Sequence, residues 1–193
     1  GESEEAYRER LEADIRKARE RLAEELDAER IPMLFAYPYG EYNRTVAEVV
    51  ESLGYIGIGQ QSGAIGPYTD LLAVPRFPMA EAYAEIGEFR QKAGAKGLPV
   101  ESLEPWDPVI TEQNPPRMRV RLADSDARLG QLSCFVSRQG QVDVDWEDRD
   151  QRHFAVEPPA SLGVGRTRYN CTAPSPESGR FYWFSQQWIR PPD

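Results

Sequence analysis

The sequence has 193 residues with 32 acidic and 23 basic side chains, which gives a formal net charge of −9. This balance argues against a nucleic-acid-binding protein, because there is no basic excess to neutralise phosphates. With one histidine and two cysteines, the chain alone cannot build a histidine-rich metal centre or a four-cysteine zinc site. No apolar run reaches the ~18–20 residues needed to cross a bilayer, so we expect no membrane span.

The first segment of the chain predicts one long amphipathic helix. Its apolar side chains recur at every third or fourth residue, so that they form one stripe along the helix. Arg and Glu fill the other faces, which is typical of a solvated helix surface. The stripe consists of Tyr7, Leu11, Ile15, Ala18, Leu22 and Leu26.

Short apolar runs then alternate with helical patterns. Asn43 is suited to cap a helix that Gly54 ends, and residues 81–93 predict a closing helix. Alternation of this kind is typical of parallel βα units, and three strands are too few to close a barrel. We therefore predict part of a (β/α) barrel over residues 1–100. Its buried strands are predicted at residues 31–37, 55–58 and 71–74.

The pattern changes near residue 100. Residues 101–116 are rich in proline, and every lysine lies before residue 97, so we predict a linker there. Apolar and polar residues alternate after it, which favours a small antiparallel β-sandwich over residues 117–193. The predicted fold class is therefore α/β followed by all-β. The alternating segments are 118–122, 132–136, 142–146, 167–171 and 181–189.

The sharpest local signal is the segment FAYPYG at residues 35–40, where the first predicted strand ends. Pro fixes one backbone torsion and Gly permits a left-handed conformation, so the chain turns sharply here. In (β/α) barrels the functional site lies at the carboxyl ends of the strands. A simpler interpretation remains open, which is a tight strand-to-helix turn with two packing aromatic rings.

Several motifs in register resemble the second half of polysaccharide deacetylases, the NodB-homology or carbohydrate esterase family 4 fold. The resemblance covers about residues 10–80. It implies the C-terminal part of a distorted (β/α) barrel, in an enzyme that removes acetyl groups from N-acetylated sugars of a polysaccharide. In that family a divalent metal, usually zinc, is held by one Asp and two His. The motifs are, in order, ERLAEEL, LFAYPYGEYN, VVESLGYIGIG, QQSGAIGP and LLAVPRFPM.

The resemblance also implies site residues. Pro38, Tyr39 and Gly40 match the family's Pro-aromatic-Gly turn, so the Tyr39 N–H is expected to donate to the tetrahedral oxyanion. Tyr37, Pro38 and Gly40 are expected to contact the substrate. Arg76, in VPRFP, matches a recurrent arginine, and we expect it to pair with the catalytic aspartate and tune its pKa. A structural ion pair at a strand end is the alternative for Arg76.

The family's Thr-Phe-Asp-Asp, His-x-x-x-His and late Leu-His segments are absent from this sequence. We therefore expect no metal to be bound by residues of this chain. The first hypothesis is the C-terminal portion of an exported, metal-dependent deacetylase, partnered by the missing N-terminal barrel half or by a second copy. The alternative is a non-catalytic module that binds carbohydrate or another cell-envelope component. A catalytically dead paralogue that acts as a scaffold is the third hypothesis.

The predicted sandwich carries signals of its own. Cys134 and Cys171 lie in strand-like segments, and two cysteines in an exported protein favour one disulfide, with two buried thiols as the alternative. This is consistent with a periplasmic or secreted location. Trp183 and Trp188 belong to an aromatic cluster with arginines nearby, which suits contact with a glycan. The alternative is that these rings fill the sandwich core.

Overall fold

The computed structural model describes residues 1–26, 31–80 and 83–192. Within them the helices are α1 (Glu4–Leu26), α2 (Arg44–Ser52) and α3 (Ile86–Ala93). None of the described helices has both the length and the apolar character that a bilayer crossing requires. The strands are β1 (Leu34–Ala36), β2 (Ile56–Ile58), β3 (Lys96–Gly97), β4 (Val100–Glu104), β5 (Met118–Leu122), β6 (Ser133–Val136), β7 (Gly140–Val142), β8 (Asp145–Asp148), β9 (His153–Val156), β10 (Gly165–Pro174) and β11 (Phe181–Arg190).

Helix α1 follows the predicted apolar stripe, but only part of the stripe is covered. Ile15 is buried and Leu11 is half-buried, where the helix packs on α2. An ion pair between Arg8 and Glu48 joins the same two helices. Leu22 and Leu26, further along the stripe, are exposed. The apolar stripe of α1 is therefore buried where the helix packs on α2, and the C-terminal end of the stripe is open to solvent.

Strands β1 and β2 pair in parallel, with α2 between them in the chain. The Asn43 side chain accepts a hydrogen bond from the Val46 N–H at 2.9 Å, so it caps α2 as predicted. The third predicted strand is reduced to one parallel bridge between Ile58 and Val74. The predicted closing helix is shorter, since α3 begins at Ile86, and residues 81–82 lie outside the described residues.

The rest of the described chain forms two sheets around one core. The five-stranded sheet has the order β3-β11-β10-β6-β7, and the four-stranded sheet has the order β4-β5-β9-β8. The pairings are antiparallel except for β3 with β11. The chain therefore combines helices with largely antiparallel sheets, as predicted. The core includes Met118, Val120, Leu122, Phe154 and Val156 from one sheet and Cys134, Val136, Tyr169, Cys171 and Trp188 from the other.

Two details of the sheets differ from the sequence-based expectation. The alternating segment 142–146 is split between the sheets, because the chain leaves β7 and enters β8 of the opposite sheet. The predicted linker at 101–116 overlaps β4, which pairs with β5. Pro99 and Pro105 flank β4, where their missing N–H groups interrupt no ladder. The prolines therefore mark the ends of a strand, and the sheets begin before residue 117.

The predicted bond between Cys134 and Cys171 is present in the structure. The two residues face each other directly on the adjacent antiparallel strands β6 and β10. Both are fully buried in the core that the sheets share. The disulfide therefore joins two neighbouring strands of the same sheet.

Replacing both cysteines, Cys134→Ala with Cys171→Ala, should lower the free energy of unfolding by about 4 kcal/mol, because chain entropy rises in the unfolded state. The sequence separation of 37 residues sets this magnitude. Urea denaturation measures it. The control is Ser133→Ala with Thr172→Ala, the facing pair next in register, which should cost far less. Equal unfolding midpoints for the two double variants would contradict the expectation.

Candidate functional site at the carboxyl edge of the parallel strands

A tight turn follows β1 and forms the centre of the candidate site. Residues Pro38–Gly40 make one turn of 3-10 helix, in which the N–H groups of Gly40 and Glu41 donate to the Tyr37 and Pro38 carbonyls at 2.8 and 3.0 Å. Tyr39 has a φ of 57° and Gly40 a φ of 73°. A left-handed tyrosine is uncommon and persists only where its surroundings hold it. The Tyr39 side chain is 77% exposed and projects into solvent.

Two side chains from the following loops meet this turn. Gln60 lies just beyond β2, and Arg76 lies just beyond the bridge at Val74. With the Gln60 amide oriented to satisfy both of its polar atoms, its oxygen accepts from the Gly40 N–H at 3.3 Å and from Arg76 Nη2 at 3.1 Å. Its nitrogen donates to the Tyr39 carbonyl at 3.3 Å. The structure thus brings Arg76 to the predicted turn, through a glutamine that the sequence analysis did not single out.

The five-stranded sheet holds the other side of the turn. Arg166 of β10 donates from Nη1 to the Tyr39 carbonyl, and its Nε lies 3.5 Å from a Glu41 carboxylate oxygen. Gln187 of β11 donates from Nε2 to the Gly40 carbonyl at 2.7 Å and is only 1% exposed. Both carbonyls of the turn are therefore held by sheet side chains. The sequence contains one signal for the Gln187 contact, which is the pair of consecutive glutamines, Gln186 and Gln187, in an otherwise largely aromatic strand.

Tyr37 lies beneath the turn. Its hydroxyl donates to the Leu72 carbonyl at 2.9 Å, its N–H donates to the Ile58 carbonyl at 3.0 Å, and its ring stacks on Tyr42. Burial raises the pKa of both phenols, with a further contribution from the Asp70 carboxylate, so they stay neutral at ordinary pH. Tyr37 is 1% exposed. It therefore supports the turn from below, and the substrate contact expected of it is not available in this structure.

The side chains that could serve as metal ligands are the next feature of this edge. Among the described residues, no group of His, Cys, Asp and Glu side chains could hold a metal ion. Within the same part of the chain, no carboxylate forms an ion pair with Arg76. The single histidine, His153, lies on β9, where its Nδ1 is 3.7 Å from Glu147. The described residues therefore do not fit the metal centre that the resemblance implies.

The two tryptophans expected to contact a glycan occupy different environments. Trp188 is 1% exposed and packs against Tyr169 in the core, with ring centroids 5.6 Å apart, so it offers no surface for a sugar. The expectation for Trp188 is corrected accordingly, because the aromatic alternation of β11 points this ring inward. Trp183 is half-buried, meets Phe77 edge-on, and lines a cavity of about 260 Å³.

Comparison with known proteins bears on the N-terminal part of the chain. Residues 2–58 match the family model of polysaccharide deacetylases. This segment carries α1, β1, the turn, α2 and β2, and the match supports the resemblance found in the sequence. A search of curated proteins finds no match.

Two solved structures show limited similarity to the chain. CopC from Methylosinus trichosporium OB3b is 14% identical with a TM-score of 0.37, over 49% of this chain and 94% of that one. The endo-beta-1,4-mannanase from Thermotoga petrophila is 11% identical with a TM-score of 0.37, over 100% of this chain. This chain spans 45% of the mannanase's length. Neither likeness is close enough to assign a fold or a function.

Gly40→Ala should lower the free energy of unfolding by about 1–3 kcal/mol, because a left-handed alanine is strained and its new methyl group collides with Gln60. An added Cβ would lie 2.6 Å from the Gln60 Cβ and Cγ. Chemical denaturation measures the change. Gly163→Ala is the matched control, since an added Cβ there has no neighbour within 4 Å. If both variants unfold at the same denaturant concentration, the packing of the turn is not as described.

Gln187→Leu should cost about 1–3 kcal/mol, because it leaves the buried Gly40 carbonyl without its donor. Hydrogen exchange should also become faster in the turn, where the sheet no longer restrains the backbone. The control is Gln141→Leu, at an exposed position of β7, with little expected effect. Unchanged exchange at Tyr39 and Gly40 in the Gln187 variant would show that the sheet does not restrain the turn.

Proposed function

We propose that this chain is the C-terminal portion of an exported, metal-dependent polysaccharide deacetylase that hydrolyses N-acetyl groups of a glycan. The observation that carries the proposal is the meeting of the Pro38–Gly40 turn, Gln60 and Arg76 beyond the ends of neighbouring parallel segments. The deacetylase family match over residues 2–58 supports it. On this reading the part of a NodB-type barrel predicted over residues 1–100 ends before β3, and the two sheets with a shared core, which begin at β3, are an appended β-sandwich.

Hydrolysis of an acetamide passes through a tetrahedral intermediate whose oxygen carries a negative charge. A backbone N–H that is already in place stabilises this charge without reorganisation. Within the described turn, none of the backbone hydrogen bonds uses the Tyr39 N–H. Arg166 and Gln187 hold the two neighbouring carbonyls. The Tyr39 N–H is therefore our proposed oxyanion donor, and the exposed Tyr39 ring offers a face on which a sugar can pack.

Arg76 has a positioning role in this proposal. Its exposed guanidinium lies at the same edge as the turn, and a planar, permanently charged group is suited to orient a carboxylate and lower its pKa. The catalytic carboxylate and the ligands of the divalent metal, zinc by family resemblance, would come from residues outside this sequence. Those outside residues would hold the metal, and the chemistry that it would supply there is polarisation of the acetamide carbonyl and activation of water.

The unpaired edge of β1 supports the proposal that a partner supplies the missing carboxylate and metal ligands. Within the described residues β1 pairs only with β2, so its other edge lacks a strand, and Leu34 on it is 52% exposed. An unpaired apolar edge is a template for another strand. We propose that the N-terminal barrel half pairs here, and that a second copy takes its place in the isolated chain. The buried disulfide supports a periplasmic or secreted location, because disulfides persist in oxidising compartments.

The test is to combine this chain with the N-terminal barrel half encoded with it, load zinc, and measure acetate release from N-acetylglucosamine oligomers. Arg76→Met should lower kcat by about a hundredfold, the lower end of what a group in acid–base catalysis contributes. It should also move the acidic limb of the kcat/KM profile to higher pH, since the base loses the charge that kept its pKa low. Arg121→Met, at an exposed position of the otherwise buried strand β5, is the control with no effect expected.

Failure of the assembled, metal-loaded protein to release acetate from any N-acetylated glycan would overturn the proposal. The second candidate function, a non-catalytic carbohydrate-binding module, would then gain. It is favoured by the position of Trp183 beside a cavity between the helical part and the sheets. It predicts retention of glycans by this chain without acetate release.

A further inference from the structure

The outer surface of β10 runs from the Pro38–Gly40 turn onto an open part of the five-stranded sheet. Alternate residues of this strand are buried in the core, so the residues between them lie on the outer surface. On one side the turn covers β11, where Gln187 lies directly opposite Arg168 and is 1% exposed. On the other side Phe135 of β6 is 42% exposed. The outer residues of the strand, which we call the β10 face, are Arg166, Arg168, Asn170 and Thr172.

Positive charge at the β10 face is only partly balanced by carboxylates. Arg166 has its Nε 3.5 Å from a Glu41 carboxylate oxygen. The side chains of Arg168 and of the exposed Arg138 form no ion pair or hydrogen bond with any described residue. Arg138 belongs to the same end of the sheet, because the N–H of the preceding Ser137 donates to the Arg168 carbonyl at 2.9 Å. In a chain with a net charge of −9, this local excess of arginine attracts an anion.

The arginine side chains define the kind of anion. A guanidinium presents paired N–H donors in one plane, a geometry that matches the two oxygens of a carboxylate. Arg166 donates to the Tyr39 carbonyl and is therefore held beside the turn. Arg168 follows on the same face, about 7 Å further along the strand. Its guanidinium is therefore placed to bind a carboxylate on a sugar next to the one at the turn.

Groups suited to the uncharged parts of a sugar flank the arginines. The Tyr39 ring at the turn is 77% exposed, and the exposed Phe135 ring lies opposite Asn170. Such rings pack on the apolar face of a sugar. The Asn170 Oδ1 accepts from Ser185 Oγ at 2.6 Å, and its Nδ2 has no partner within the described part of the chain. From Arg166 to Asn170 the strand rises about 13 Å, which is enough to contact several sugars of an extended glycan.

We propose that the β10 face binds an acidic stretch of the glycan, in which a sugar with a carboxylate adjoins the N-acetylated residue at the turn. Arg168 pairs with the carboxylate, Arg138 adds to the attraction, and Tyr39 and Phe135 pack against sugar rings on either side. The inference rests on the proposed function, which places the N-acetylated residue at the turn. It narrows the substrate from any N-acetylated glycan to one in which N-acetylated sugars and uronic acids are neighbours.

The test measures binding of this chain, by titration calorimetry, to a hexasaccharide of alternating glucuronate and N-acetylglucosamine. The reference ligand is the same hexasaccharide with its carboxylates reduced to primary alcohols, so that only the charge is lost. The acidic form should bind at least tenfold more tightly at low ionic strength, and added salt should reduce the difference because ions screen exposed charges. Equal affinity for the two forms, or no binding of either, would overturn the inference.

This measurement is independent of the deacetylase assay, because binding needs neither the metal nor the N-terminal barrel half. Preference for the acidic hexasaccharide without acetate release by the assembled protein would contradict the proposed function and leave the β10 face as a binding site. Acetate release from neutral oligomers without that preference would contradict the inference and leave the proposed function intact.

Four variants separate the contributions to binding. Arg168→Gln should weaken binding of the acidic hexasaccharide by about tenfold and leave the reduced form unaffected. Arg138→Gln, in an exposed turn where the fold is not at risk, should weaken it by a smaller factor. Arg121→Gln is the matched control, since it removes the same charge from an exposed position of the other sheet. Phe135→Ala should weaken binding of both forms, whereas equal weakening by all three arginine variants would overturn the site.

Discussion

The geometry of the candidate site depends on the hydrogen bond from the Gln187 side chain to the Gly40 carbonyl. It joins residues 147 positions apart in the sequence and is buried, so loss of the donor would leave a carbonyl that water cannot satisfy. Through this hydrogen bond, the five-stranded sheet restrains the backbone of the Pro38–Gly40 turn, which lies between β1 and α2. Arg166 reaches the neighbouring carbonyl in the same way. The two parts of the chain are therefore physically coupled at the candidate site.

This coupling changes the role of the appended sheets. A domain joined by a flexible linker would leave the chemistry of its neighbour untouched, and the prolines near residue 100 suggested such a linker. Instead, β4 pairs within the four-stranded sheet, and β11 contacts the turn. The cavity beside Trp183 lies between the same two parts. Both candidate sites of the chain thus require the sheets and the helical segment together.

Local signals in the sequence predicted local structure well. The Asn43 cap, the stripe of α1, the turn at Pro38–Gly40 and the cysteine pair all depend on nearby residue types or on strand pattern. The contacts of Gln187 and Gln60 with the turn were not predictable, because tertiary packing alone decides which residue meets a distant carbonyl. Trp183 and Trp188 show the same limit, since periodicity cannot distinguish an inward ring from one beside a cavity.

The left-handed backbone of Tyr39 has a consequence for how its N–H can be studied. Proline is the only residue that lacks this N–H, but its φ is fixed near −65°, whereas Tyr39 has a φ of 57°. Genetic substitution therefore cannot delete the donor without destroying the turn. Semisynthesis that replaces this amide with an ester would remove the hydrogen alone. Conversely, asparagine or glycine at position 39 can keep the backbone geometry, so the contribution of the ring can be measured separately from that of the donor.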